Sequence, residues 1–216
     1  MKQQKTTTDW TGYYQKKRSI WSVITQTVTW RILLSLVKKY NTKKKNYVVE
    51  LGGGNSDFAK KFYQAKLVKK YVIVDNNQLA CDLAKVKLNS YPNLLVYKKD
   101  LIEEREEGIG ITKGDIVYST GLIEHFSKEN RRKIIQRHFE WCKKGGIVLI
   151  TFPTPTLQYK IFRKTMEWIG VWQFWDEKPL YADEIMDVLK ENGIILKIYV
   201  NYWLPLTQTV VVVRNI

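Results

Sequence analysis

Cysteine is scarce in this chain: Cys81 and Cys142 are the only two in 216 residues. Two so far apart give neither a disulfide framework nor the close spacing of a cysteine metal site, so a reduced, cytoplasmic protein with no metal is the expectation. No apolar run is long enough to span a bilayer. Lys16-Lys17-Arg18 precede a mixed apolar stretch, but it is rich in Ser and Thr, reaches Arg31 and lacks a small-x-small cleavage site, so it does not read as a signal peptide. Histidine is limited to His125 and His138, which leaves few candidates for acid–base chemistry. No internal repeat is evident. Acid is nearly missing from residues 1–45, where eleven Lys/Arg meet only Asp9, so +10 of the net charge of +15 is local. Such a segment serves as a solvated face or meets an anionic substrate, nucleic acid or an anionic membrane surface.

The chain is organised around Tyr47 to Asp57, where an apolar run ends in Glu50 and passes through Gly52-Gly53-Gly54 toward a helix. A strand, a glycine turn and a helix start form a nucleotide-type ligand site in open α/β sheets. Asp57 stands where a dinucleotide fingerprint has its third glycine, and Glu50 lies just before the turn. Two carboxylates repel a pyrophosphate, whereas an acidic strand end suits a cationic ammonium, as in the methionine part of S-adenosylmethionine. Asp75 ends the next apolar run, Tyr71 to Val74, and fits the two hydroxyls of a ribose. Asn76, directly after it, reads as an adenosine contact or a turn residue.

Glu50-Leu51-Gly52-Gly53-Gly54, Asp75, Asp100-Leu101 and the run Ser119-Thr120-Gly121-Leu122-Ile123-Glu124-His125 stand in the order and spacing of the class I S-adenosylmethionine-dependent methyltransferases, which the segment from about Tyr47 to Phe152 resembles. The resemblance implies a Rossmann-like α/β fold, a mixed seven-stranded sheet with its last strand antiparallel and helices on both faces. It implies S-adenosylmethionine as cofactor and S-adenosylhomocysteine as product. Asp100 and the Leu101 N–H would read adenine, while Ser119, Thr120 and Gly121 would border the cofactor. In such proteins an N-terminal segment closes over the ligands, which makes Tyr14 a cofactor contact and Tyr13 a substrate contact, unless both are ordinary packing aromatics. Residues 1–45 are accordingly a basic helical lid and residues 46–216 the methyltransferase domain.

Along the chain, residues 1–9 read as disordered. Residues 20–40 read as a helix, with Ile20, Ile24, Val28, Ile32 and Leu36 every four residues and Trp21, Leu33 and Val37 widening the stripe. Core packing is the expectation for this stripe; a membrane-interfacial helix is the alternative. A helix follows at 56–65 and another to about Ser90, with strands at 71–74, 94–97, 115–118 and 147–152. Residues 103–113 form a connection, and Lys143 to Gly146 a turn. Tyr181 to Asn192 reads as a helix capped by Gly193, and 194–200 and 209–213 as strands joined by a loop containing Pro205. His125 lies in the crevice loop and reads as a pocket-shaping histidine or a general base; His138 sits mid-helix and needs no function.

Residues 153–180 are dense in aromatics and carry Lys160, Arg163 and Lys164. The resemblance makes this an acceptor-side insert, with Tyr159 and Arg163 as substrate contacts for a sugar ring, nucleotide-sugar or aryl group; aromatics packed on the sheet are the alternative. The expected function is methyl transfer to an O, N or C atom of a small molecule, with a saccharide or sugar precursor as the favoured class. The alternatives are an RNA methyltransferase using the basic N-terminus, a quinone or lipid methyltransferase at a membrane surface, and a non-catalytic S-adenosylmethionine-binding protein. Ser119-Thr120-Gly121 replaces the Asn/Asp-Pro-Pro-aromatic signature of base-amine methylation, which counts against nucleic acid as partner. Oligomeric state is not legible.

Overall fold

The computed structural model describes residues 7–16, 19–103, 112–202 and 207–216. Most of the 103–113 connection, the Pro205 loop and residues 1–6 lie outside these segments, as does the Trp21 side chain.

Seven strands form one sheet: β1 (Asn46–Leu51), β2 (Val68–Asp75), β3 (Leu94–Lys98), β4 (Gly114–Thr120), β5 (Cys142–Pro153), β6 (Gly193–Asn201) and β7 (Gln208–Asn215), in the order β3-β2-β1-β4-β5-β7-β6. β1 to β5 are parallel, and β7 is inserted antiparallel to both β5 and β6. This is the expected mixed sheet. The central strands read as unbroken apolar runs because both faces are covered. Val49, Leu51, Val72, Val74, Val117 and Val148 pack under α5 (Lys128–Glu140) and α7 (Met186–Asn192). Val48, Tyr71, Ile73, Ile116 and Tyr118 pack under α2 (Ile20–Tyr40), α3 (Phe58–Gln64) and α4 (Gln78–Lys87). The strand order reverses between β1 and β4, which opens a crevice at their carboxyl ends.

Two readings change. The apolar row expected to bury α2 does not face the body along its whole length. Steps of four residues advance about 400° around a helix of 3.6 residues per turn, so such a row winds by roughly 40° per step. Ile20 is exposed, Ile24 and Val28 are half-buried, and the burial is carried by Leu33, Leu36 and Val37. The run Lys143 to Gly146, expected as a turn, belongs to the start of β5, beside the register shift between Gly114 and Ile116. Elsewhere the differences are at element ends, except in the aromatic insert. There α6 (Leu157–Trp168) begins two residues after Pro155, with the Thr156 hydroxyl accepting from the Tyr159 N–H.

Gly193 is not the left-handed helix cap that was expected. Its φ is −176°, an extended conformation, and it is the first residue of β6, opposite Asn215. A side chain there would bring its Cβ to 2.3 Å from the Arg214 carbonyl oxygen, so glycine is required for close strand approach. Asparagine substitutes for glycine at a left-handed cap but not under a backbone carbonyl. We expect Gly193→Ala and Gly193→Asn both to lower unfolding free energy, by about 1–3 kcal/mol in urea titrations; retained stability in Gly193→Asn would restore the cap assignment.

Candidate active site

The crevice is a cavity of about 760 Å³. One half is built from the ends of β1, β2 and β3. Glu50 is buried there, its Oε2 accepting from the Ser56 hydroxyl and, at 2.8 Å, from the Tyr71 hydroxyl. Burial pushes its pKa up to about 7, against the opposing pull of those hydroxyls. Asp75 Oδ2 accepts from the Gly54 N–H and Oδ1 from the Asn77 N–H, each at 2.8 Å. These bonds fix both carboxylate oxygens at the cavity edge, where burial raises the Asp75 pKa in spite of them. Asn76, Asp100 and Leu101 line the same half. Asp100 Oδ1 also takes the Ile102 N–H at 2.8 Å, which holds its side chain in the turn after β3.

The other half is assembled from distant segments. A short helix α1 (Trp10–Gln15) starts with Asp9 accepting from the Gly12 N–H and lays Trp10, Tyr13 and Tyr14 against the cavity. It is joined to α4 through Thr11, whose Oγ1 accepts from Asn77 Nδ2 at 3.0 Å. Tyr14 sits over the glycine turn: at Gly54, with φ +53°, a Cβ would lie 2.1 Å from the Tyr14 hydroxyl. Burial, then the nearby Asp75, keeps that phenol neutral far above its ordinary range. Opposite, a 3-10 turn (Ile123–His125) presents Glu124 and His125. His125 Nδ1 lies 2.8 Å from Asp176 Oδ1. A carboxylate only accepts, so Nδ1 carries the proton and Nε2 the lone pair. Burial lowers the His125 pKa although Asp176 opposes this, so the ring is neutral near pH 7. The Thr8 hydroxyl also donates to Asp176 Oδ1. Burial disfavours the Asp176 charge, but the bonds from Thr8 and His125 outweigh it and hold the carboxyl below its usual range.

Two more acids share this half. Glu177 accepts from the Tyr159 hydroxyl, and burial pushes its pKa up to about 8. Glu124 is buried, and its Oε2 has no hydrogen-bond partner among the described residues. Burial, and then Glu177, drive its pKa well above the carboxylate range. Glu124, His125 and Glu177 bring ligand atoms within 4.8 Å of one another, a donor set able to receive a divalent cation or the polar hydrogens of a substrate. Phe174 and Trp10 lie 6.2 and 4.9 Å from the His125 ring. The polar inner side of α2, Ser22, Thr25, Gln26 and Thr29, completes the wall, with Gln208 Nε2 donating to the Thr29 hydroxyl at 2.9 Å.

Among the residues named from sequence, Glu50, Gly52, Gly53, Asp75, Asn76, Asp100, Leu101, Thr120, Gly121, Tyr13, Tyr14 and His125 line the cavity. Four do not. Gly54 meets Tyr14 instead and ties Asp75 through its N–H. Ser119 points to the opposite face of β4, where its hydroxyl lies 2.9 Å from His138 Nε2. His138 Nδ1 faces the Ile134 carbonyl at 2.7 Å, and burial lowers its pKa to about 4, so this histidine is a neutral link between β4 and α5. Tyr159 is buried on Glu177, and Arg163 is engaged with Glu167, the Glu177 carbonyl and the face of Trp172. Sequence reasoning missed Trp10, Glu124, Phe174, Asp176, Glu177 and the α2 polar stripe. For the acids the only signal was their place beside His125 and in the Trp175-Asp176-Glu177 run.

Glu50 and Glu177 carry protons in the folded chain that the unfolded chain, with carboxyls near 4.5, releases. Their contribution to stability is complete below that pH and drains away as pH rises through about 7 and about 8. We expect the denaturation midpoint of the ligand-free protein to fall across this window, by at most about 1.4 kcal/mol per pH unit and group. Glu177→Gln is expected to flatten the upper part of that slope in urea titrations at stepped pH.

No family model matches the chain, and no curated protein does. Solved structures do. Magnesium protoporphyrin IX methyltransferase (ChlM) from Synechocystis PCC 6803, with bound S-adenosylhomocysteine, aligns at a TM-score of 0.72 and 14% identity, over 93% of this chain and 90% of that one. The N-methyltransferase NodS from Bradyrhizobium japonicum WM9, also with S-adenosylhomocysteine, gives 0.65 and 12% over 88% and 86%. The pyocyanin biosynthetic protein PhzM gives 0.64 and 16%, over 83% of this chain and 53% of its own. With its strand order, its antiparallel last strand and these neighbours, the chain has the fold of the class I S-adenosylmethionine-dependent methyltransferases.

Proposed function

We propose that the protein methylates a polar small molecule, with S-adenosylmethionine as donor. The carrying observation is that one cavity is lined by both the acid-tipped strand ends and His125, whose ring is held from behind by Asp176. The donor set fits the cofactor: Asp75 can take ribose hydroxyls, Glu50 lies where an ammonium balances a buried acid, and Asp100 with the Leu101 N–H suits the adenine edge. Neighbours of the same fold hold S-adenosylhomocysteine, which supports this reading. When bound, the cofactor supplies a methyl group already activated on a sulfonium. The protein's part is to align the acceptor, exclude water and receive a proton.

His125 is the group for that proton. With Nδ1–H held by Asp176, Nε2 would take the proton of an acceptor hydroxyl or amine as that atom received the activated methyl group. Glu124, Glu177 and the hydroxyl and amide groups of α2 hold the acceptor's remaining polar groups, and the Trp10 and Phe174 rings flank it. A saccharide or sugar precursor suits this mixture of aromatic faces and hydrogen-bonding groups. RNA suits it poorly, because no Lys or Arg stands among the described lining residues of the acceptor side to meet phosphate. Residues 8–15 act as the lid, pinned by Thr8 to the same Asp176 that orients the base.

Calorimetric titration with S-adenosylmethionine and S-adenosylhomocysteine tests the cofactor. We expect Asp75→Ala to weaken both by about 10- to 100-fold, since charged hydrogen bonds contribute about 1.5–3 kcal/mol each; absence of binding to folded wild type would sink the reading. In turnover assays on a sugar and nucleotide-sugar panel, His125→Ala and Asp176→Asn should lower kcat by about 10²–10⁴ while S-adenosylhomocysteine affinity stays within about twofold.

A further inference from the structure

α6 is apolar on two opposite sides. Its inner side is spoken for: Tyr159 is buried, and Phe162 and Met166 line the cavity. The outer side is not. Leu157, Ile161 and Trp168 are 73%, 58% and 87% exposed. At 100° per residue these three fall within roughly 40° of one another, a single outward stripe, with Lys164 about 20° and Lys160 about 60° to one side of it. Beyond the helix, Ile169 and Val171 are 50% and 52% exposed and at the same time line the cavity. Exposed apolar side chains thus stand both on the outside of α6 and, directly after it in the chain, on the rim of the acceptor half. An exposed contiguous patch of this kind marks an interaction site.

Several features decide what covers it. Ten of the chain's fifteen net positive charges lie in residues 1–45, and the exposed side of α6 carries Lys160 and Lys164 of its own, so an anionic surface is complementary to both. The stripe combines large apolar side chains with lysines at its flank, the composition of a helix that lies in a lipid headgroup layer. Its most exposed member is a tryptophan, whose amphipathic ring favours that layer. Among the described residues no helix is long and apolar enough to cross a membrane, so contact through these helices would be at the surface. We propose that the outer face of α6 seats the protein on an anionic bilayer, with the Ile169–Val171 rim against the lipid, and that the acceptor is an amphiphile whose polar head enters the cavity from that surface. This rests on the methyltransferase reading for the chemistry of the acceptor, but the seating is a property of α6 alone.

The test uses the full chain and vesicles of phosphatidylcholine, alone or with about one third phosphatidylglycerol, in a flotation assay. Wild type is expected to float with the anionic vesicles and not with the neutral ones. Leu157→Ser/Ile161→Ser/Trp168→Ser, three exposed positions outside the cavity lining, should reduce partitioning by about tenfold or more. Lys160→Glu/Lys164→Glu should reduce it as well. Brominated acyl chains should quench part of the wild-type tryptophan emission, and that part should vanish in Trp168→Phe. Partitioning unchanged in the triple variant would assign membrane contact to the basic N-terminal segment and overturn the proposal. So would a concentration-dependent dimer in sedimentation velocity that the triple variant abolishes. S-adenosylhomocysteine titration of the same samples keeps the two readings apart: intact cofactor binding with no flotation defeats the seating only, and flotation without cofactor binding defeats the methyltransferase reading only.

Discussion

A carboxylic acid sits at the bottom of the sheet's crevice with almost no water, and the cofactor half is arranged around it. An acid in that position is tolerated only if its oxygens are satisfied. Ser56 and Tyr71 both donate to the Glu50 Oε2, and Tyr71 in turn meets the Tyr118 hydroxyl from β4. The demand propagates. Ser56 is held at positive φ at the mouth of α3, where its hydroxyl also accepts the Ala59 N–H. Gly53 can carry no side chain, because a Cβ would come within 2.8 Å of Glu50 Cγ. The glycine turn is therefore shaped by the acid before it as much as by any ligand. A site whose floor is a reluctant carboxylate selects against phosphate and favours a positively charged group.

That half was readable in the chain because its signals are local. An apolar run, its terminal acid and the turn beside it are consecutive, and a parallel sheet places the ends of β1, β2 and β3 on one rim. The strand series could be read from the apolar runs, and the antiparallel insertion of β7 came from the family resemblance that the motifs carry. Side-chain direction was not readable. On β4, Thr120 faces the cavity and Ser119 the far side, so a list of consecutive loop residues includes one that belongs to the core with His138. On α6, the buried face takes Tyr159 to Glu177 and Arg163 around Trp172, which no spacing argument distinguishes from a wall of the pocket.

The acceptor half was least legible because it is non-local. His125 and Asp176 are 51 positions apart, and Thr8 and Asp176 are 168 apart. An acid that follows a tryptophan in a loop carries no mark of what it will face. The titration behaviour of the pair depends on that meeting: Asp176 stays ionised because two donors from separate segments converge on it, while Glu124 and Glu177, with less compensation, are driven toward their neutral forms.

α2 joins two kinds of surface in one rod. Its C-terminal half is anchored in the core by Leu33, Leu36 and Val37, and its N-terminal half lays Ser22, Thr25, Gln26 and Thr29 along the cavity wall. The anchors lie at least one turn away from the wall. Ser22 and Gln26 can therefore be exchanged without touching that anchor, whereas Thr29 is buried and tied to Gln208. Such a division lets the fold stay constant while its appetite for acceptors drifts, and it makes α2 the first place to look when two chains of this shape methylate different molecules.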